Sequence, residues 1–224
     1  MKEQNTISPP NSFKMIRAMA GIGIICGLLI VLTYEGTLPR IERLRAEALQ
    51  EAIFKVIPAS TQMKPFSYQD NTFAPAKETD ENIIYAGYND LGELKGVAIV
   101  AAGQGYADII RIIYGYSIDK QEVIGFYVLE SKETPGLGDK IEKEQFFLDN
   151  FNALDVALTE DKNAIKNKIT TVKQGGKLND WEIDGITGAT ISSRAIGDII
   201  AKSTEQWVPI IYKNREVFKS FENE

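Results

Sequence analysis

Residues 83–130 read IIYAGYNDLGELKGVAIVAAGQGYADIIRIIYGYSIDKQEVIGFYVLE, and this run decides the fold. Ile, Val and Tyr concentrate in four blocks: Ile83 to Tyr88, Leu94 to Ala102, Ile109 to Ile118, and Val123 to Glu130. β-Branched and aromatic side chains fit a pleated, half-buried surface, so each block reads as a strand. Asp90-Leu91-Gly92-Glu93 joins the first two blocks and Asp119-Lys120-Gln121 joins the last two. Connections this short make hairpins, and two hairpins predict a mainly antiparallel sheet. Gly103-Gln104-Gly105-Tyr106, between the pairs, reads as a flexible glycine turn. It is no dinucleotide fingerprint, because no G-x-G-x-x-G follows a strand and opens a helix; no Walker loop occurs either.

After the fourth block comes Glu133-Thr134-Pro135-Gly136-Leu137-Gly138-Asp139-Lys140. A proline and two glycines make a tight loop whose backbone can approach a flat ligand. The spacing then predicts a helix over 141–150 with Phe146 and Phe147 inward, and a charged helix over 159–168. A strand from Ile169 to Lys173 and a turn at Gln174-Gly175-Gly176-Lys177 follow. The next distinctive stretch is Asp184-Gly185-Ile186-Thr187-Gly188-Ala189-Thr190-Ile191-Ser192-Ser193. Ile196, Ile199, Ile200 and Trp207 continue at helical spacing, so this stretch opens a helix. The first N–H groups of a helix lack internal partners and attract anions. Read blandly, it is a loop-to-helix turn with Ser192 or Ser193 as N-cap. The segment from Pro209 to Glu224 reads as a packed extension that frays.

Toward the N-terminus, residues 61–80 are loop-like, with prolines and few patterned apolar residues. Pro39 to Val56 reads as a helix with Ile41, Leu44, Ala48 and Ala52 on one face. From Ala18 to Tyr34 no charge interrupts an apolar run. As a helix it is about 25 Å long, near the lower limit for a bilayer core, and Met15 and Ile16 extend it if Arg17 snorkels. The run does not suit a cleaved signal peptide, because no small-x-small site follows it. A lipid anchor at Cys26 fails because Ile25 sits where a small residue is wanted. The expected organisation is a cytoplasmic tail (1–13), a transmembrane anchor (14–34), a juxtamembrane helix (35–57) and a C-terminal domain (58–224). Lys14 and Arg17 on one side are nearly balanced by Arg40, Arg43 and Arg45 on the other, so charge leaves orientation almost tied.

Composition narrows the chemistry. Twenty-five basic residues against 31 acidic ones give a net charge of −6, which speaks against a general nucleic-acid binder. The chain has no histidine and one cysteine. That removes Ser-His and Cys-His triads, intrachain disulfides, and cysteine-ligated zinc or iron–sulfur centres built from this chain alone. Redox chemistry here would need an organic cofactor.

Asp184-x-x-Thr187-Gly188-Ala189-Thr190-x-Ser192 resembles the flavinylation motif of FMN-binding domains in the Rnf and Na+-translocating NADH:quinone oxidoreductase complexes. Glu133-Thr134-Pro135-Gly136-Leu137-Gly138 is similar to that family's second hallmark. Its continuation looks closer to RnfG than to NqrC, the corresponding protein of the quinone reductase. The family often has a histidine just before this loop, where Ser131 and Lys132 stand here.

The resemblance implies an α+β fold, a mainly antiparallel sheet with flanking helices behind one transmembrane helix. It also implies FMN joined through its phosphate to Ser192. Because Thr is commoner at that position, Thr190 stands as the second candidate. Thr187, with the Gly188 and Ala189 backbone, would hold the phosphate. Asp184 would either fix the loop or assist attachment, and serves equally well as a plain turn residue. Glu133, Thr134, Gly136 and Leu137 would line the flavin ring. The implied setting is an electron-carrying subunit of a membrane ferredoxin:NAD+ oxidoreductase coupled to Na+ or H+ movement. Its partners would be other Rnf subunits and a flavin transferase, with its domain on the extracytoplasmic side of the inner membrane. The alternatives are an NqrC-like role in the quinone reductase and a membrane-anchored binding domain without flavin.

Overall fold

The computed structural model describes residues 12–77, 80 and 82–219. Most of the expected tail (residues 1–13) lies outside them. Helix α1 runs Ser12–Val56. The chain divides into two compact units, Met1–Glu47 and Ala48–Glu224. In the first unit the apolar side chains from Phe13 to Tyr34 are exposed. Among the described residues α1 alone is long and apolar enough to cross a membrane. The Thr33 and Thr37 hydroxyls donate to the carbonyls of Leu29 and Thr33, at 2.7 and 2.8 Å. Such back-bonding satisfies these two threonine hydroxyls within the helix itself.

The second unit is built on a seven-stranded antiparallel sheet. Its strands are β1 (Gln62–Gln69), β2 (Thr72–Pro75), β3 (Ile83–Tyr88), β4 (Leu94–Gln104), β5 (Ile109–Ser117), β6 (Glu122–Glu130) and β7 (Leu154–Asp155), in the order β2-β1-β3-β4-β5-β6-β7. The four blocks of the central run fall on β3 to β6 within two residues. Alternation sends their side chains to two faces. Ala98 and Ile113 meet the end of α1, while Ile99, Ile112 and Tyr114 join the larger core.

The α1 end sits on glycine. Gly87 pairs with Gly96 and Gly115 with Gly125 across the sheet. A Cβ at Gly125 would lie 2.5 Å from the Val56 carbonyl oxygen, and one at Gly115 would strike the same atom. Ala52, Ile53, Val56 and Ile57 are buried there. Of the apolar face expected over 39–56, Ala52 is buried here, while Ile41, Leu44 and Ala48 are exposed. On the opposite face lies α3 (Thr190–Lys213), with Ile196, Ile199, Ile200, Trp207, Val208 and Ile211 in the core. The Tyr114 and Ser203 hydroxyls, 2.8 Å apart, tie it to β5.

Several expectations are corrected. Within the stretch expected as a loop over 61–80, residues 62–75 form the β1–β2 hairpin, turned at Asp70-Asn71, both with positive φ (50° and 65°), as a two-residue hairpin turn requires. Its prolines are tolerated because Pro75 lies on the edge strand. Pro65 faces the same edge, accepting from the Ala76 N–H at 3.0 Å. The helix expected over 141–150 is broken into a 3-10 turn Gly138–Glu142, a short α2 (Gln145–Leu148) and a second 3-10 turn Asp149–Phe151. Phe147 and Phe151 point inward and Phe146 does not. Residues 159–168 form no helix. Asp161 accepts from the Thr159 hydroxyl and the Asn163 backbone, and Lys162 has φ of 57°. Such local side-chain bonds compete with helix formation. The extension from Pro209 is packed: α3 continues through Pro209 to Lys213 and Phe218 is fully buried, and the fraying expected beyond it lies outside the described residues. Two short strands, β8 (Thr170–Val172) and β9 (Glu182–Asp184), pair in parallel as a second sheet.

Candidate functional site

β9 delivers the chain into the Gly185–Ala189 loop, and Asp184 is pinned at its end. The Asp184 N–H donates to Asn150 Oδ1 at 2.9 Å, and Asn150 Nδ2 donates to the Asp184 carbonyl at 3.2 Å. The Asp184 carboxylate accepts from the Gly175 and Gly176 N–H groups at 2.9 and 3.2 Å. Its side chain therefore braces the 174–176 turn. Asn150, buried and essential to this join, carries no sequence signal beyond a helical run.

The loop then turns at Gly188, whose φ of +87° suits glycine. α3 begins at Thr190, with Ala189 as N-cap and no side-chain cap. This corrects the expected Ser192 or Ser193 cap. Both serines lie inside the first turn. Ser193 Oγ accepts from the Ile186 N–H at 3.1 Å and donates to the Ala189 carbonyl at 2.9 Å. Ser192, 3% exposed, donates to Glu133 Oε2. Thr190 is exposed, and among the described residues its hydroxyl has no hydrogen-bond partner. An uncapped helix start of 24 residues with a free hydroxyl is suited to an anion.

Facing it is the loop after β6. Glu133, 6% exposed, accepts the Ala107 N–H through Oε1 at 2.9 Å. The glycine turn that looked merely flexible is thus part of the site: a Cβ at Gly105 would come 2.6 Å from Glu133 Oε1. Gly136 has φ of +79°, and its N–H donates to Asp139 Oδ1 at 2.6 Å. Lys143, hydrogen-bonded to Asp139, holds that carboxyl below its ordinary range, and the Gly136 N–H adds to the effect.

Between these loops is a cavity of about 370 Å³, lined by Tyr106, Glu133, Thr134, Leu137, Gly138, Gly188, Ala189, Thr190, Ile191 and Ser192, a volume typical of small-molecule sites. Tyr106, Leu137 and Ile191 are 65%, 53% and 57% exposed. They give the cavity an apolar rim suited to a flat aromatic ligand. Thr187 opens instead on a neighbouring cavity of about 300 Å³, shared with Thr190, Lys173, Gln174 and Arg194. Of the residues expected from the sequence, the first cavity gathers Glu133, Thr134, Leu137, Gly188, Ala189, Thr190 and Ser192. Asp184, Thr187 and Gly136 lie off its wall.

A flat-ligand cavity beside an uncapped helix start, on an antiparallel sheet, describes the FMN-binding-domain class, and the model of the FMN-binding domain family matches residues 105–205. The G subunit of the ion-translocating oxidoreductase complex of Methanosarcina acetivorans is 28% identical, over 86% of this chain and 92% of that protein. Its namesake in Aliivibrio fischeri is 33% identical, over 80% and 81%. The chain belongs to this RnfG family. Two solved structures share the fold. The C subunit of the Na(+)-translocating NADH-quinone reductase of Parabacteroides distasonis is 18% identical, with a TM-score of 0.60 over 77% of this chain and 96% of that one. NqrC of Shewanella oneidensis is 16% identical, with a TM-score of 0.55 over 78% and 95%.

Proposed function

We propose that this chain is an electron-carrying subunit of a membrane-bound, ion-translocating oxidoreductase, with FMN attached through its phosphate to Thr190. The observation that carries this reading is the exposed, unpartnered Thr190 hydroxyl at an uncapped helix start, opening on the apolar-rimmed cavity. The residues suit the group: the α3 start and the Gly188-Ala189 backbone for a phosphate, Tyr106, Leu137 and Ile191 for an aromatic ring. FMN would supply the redox centre, as a cofactor carries chemistry that side chains cannot.

Ser192, the first candidate on sequence grounds, is a poorer acceptor on structural ones. It is buried against Glu133, and even a methyl group at Gly138 would come within 3.0 Å of its Oγ. Esterifying it would require the 133–138 loop to withdraw. Thr190 needs no such movement.

The chain's own residues hold and orient the cofactor; the donor and acceptor of electrons belong to partner subunits. The family resemblance supports ferredoxin:NAD+ oxidoreduction coupled to Na+ or H+ movement. It also supports maturation by a flavin transferase, with α1 anchoring the chain in the inner membrane and the second unit extracytoplasmic. The test is intact mass and in-gel flavin fluorescence of the full chain co-expressed with a flavin transferase. We expect one FMN-phosphoryl increment per chain, lost in Thr190→Ala and retained in Ser192→Ala. A wild type that stays colourless beside an active transferase would leave a membrane-anchored binding domain as the better reading. Co-purification with iron–sulfur-rich subunits would separate the ferredoxin-linked complex from the quinone reductase.

A further inference from the structure

We propose that Glu133 selects which hydroxyl is esterified, by locking Ser192 as a hydrogen-bond donor in a space closed to a phosphoryl group. This rests on the covalent FMN reading above and adds a specificity role to a residue otherwise placed on the cavity wall.

The motif offers four hydroxyls within seven residues: Thr187, Thr190, Ser192 and Ser193. Ser193 is excluded by burial, with its hydroxyl proton already committed to the Ala189 carbonyl and its oxygen accepting from the Ile186 N–H. Thr187 opens on the neighbouring cavity rather than the ring-sized one. Ser192 does border the ring-sized cavity, as Thr190 does, and only their immediate contacts distinguish them. Glu133 makes that distinction. One carboxylate oxygen takes the Ser192 hydroxyl and the other takes the Ala107 N–H. The carboxylate is closed in on both sides by backbone, where Gly105 and Gly138 lack side chains.

In the transfer reaction the acceptor Oγ forms a bond to the flavin-side phosphorus of FAD. The pyrophosphate P–O bond breaks, AMP leaves, and the Oγ proton passes to a base of the transferase. A carboxylate beside a hydroxyl is also the arrangement of a general base with its nucleophile. Here the phosphorus and its oxygens would have to enter where a methyl group is already crowded. Glu133 therefore restrains Ser192 instead of activating it, and Thr190 remains the open acceptor.

The experiment is peptide mapping by tandem mass spectrometry of the full chain co-expressed with a flavin transferase. The variants are Thr190→Ala, Thr190→Ala/Glu133→Ala and Thr190→Ala/Glu133→Gln, each with a thermal unfolding curve. Fragment ions assign FMN to residue 190 or 192. We expect wild type to carry FMN on Thr190 and Thr190→Ala to carry none. The Glu133→Ala double variant should gain FMN on Ser192, at least tenfold above Thr190→Ala. The Glu133→Gln double variant keeps the volume and an acceptor oxygen, so it should stay unmodified. FMN on Ser192 in Thr190→Ala with Glu133 intact overturns the selection, as does a folded Glu133→Ala double variant that stays bare. Should that variant not fold, Thr190→Ala/Glu133→Asp gives the same readout, because the shorter carboxylate draws back from Ser192. Wild type without FMN overturns the flavin reading and the selection together.

Discussion

Asn150→Ala removes the join between the α2 region and the strand that enters the site. The Asn150 carboxamide donates to the carbonyls of Phe147 (3.0 Å) and Asp184 (3.2 Å) and accepts from the Asp184 N–H (2.9 Å). Each such bond contributes about 1 kcal/mol net, and a partner left buried and unsatisfied adds to the loss, so Ala should cost about 3–4 kcal/mol. For a unit of this size about 2–4 °C is lost per kcal/mol, which predicts a fall in Tm of about 6–16 °C. The assay is calorimetric unfolding of the full chain in detergent micelles, repeated with Asn150→Leu, which fills the volume without restoring the bonds. Leu should not rescue. Since Asp184 positions the Gly185–Ala189 loop, FMN incorporation should fall in both variants. A Tm change below about 2 °C with normal incorporation would refute the reasoning, because β9 would then be held by its pairing with β8, the Gly175 and Gly176 bonds and the burial of Ile183, without need of Asn150.

Gly125→Ala forces a methyl group to within 2.5 Å of the Val56 carbonyl. It should cost about 1–3 kcal/mol by overpacking, seen as faster hydrogen exchange in residues 48–57; unchanged exchange there would dismiss the glycine seat. Gly188→Ala places a side chain at φ of +87° in open space, a penalty of about 1 kcal/mol from backbone strain alone. FMN occupancy should fall while Tm drops only slightly. Burial pushes the Tyr88 hydroxyl up from 10.0 to about 12, and its hydroxyl donates to the Phe218 carbonyl at 2.9 Å. A raised folded-state value means this contribution is intact below pH 10 and is lost as pH rises toward 12. Alkaline unfolding monitored by tyrosinate absorbance should begin in that window, and Tyr88→Phe should lose the Tyr88 part of it.

The four strands of the central run were legible because period and composition agree there: β-branched and aromatic residues alternate between two covered faces. The first hairpin was not. Pro65 and Pro75 read as loop residues, and their tolerance follows from facing a sheet edge, which no local pattern reveals. The charged stretch 159–168 has helical composition, yet Thr159, Asp161 and Asn163 spend their polar groups on one another. The site shows the same division. The Pro-Gly loop and the Thr-Gly-Ala-Thr turn could be picked out as motifs, whereas Gly105, Ala107 and Asn150 could not, since each acts through a contact more than 25 residues distant.

By itself the sequence determined the antiparallel class, the apolar N-terminal helix, the helix that follows the motif, and the absence of histidine chemistry. These depend on residue type and short-range period, which are properties of the chain alone. Tertiary structure decided which face of the α1 end is buried, because only the glycine pairs of the sheet admit it. It also decided which hydroxyl of the motif is open. Ser192 and Thr190 lie two residues apart on one helical turn and are chemically alike. Glu133, brought from 59 residues away, buries one and leaves the other exposed.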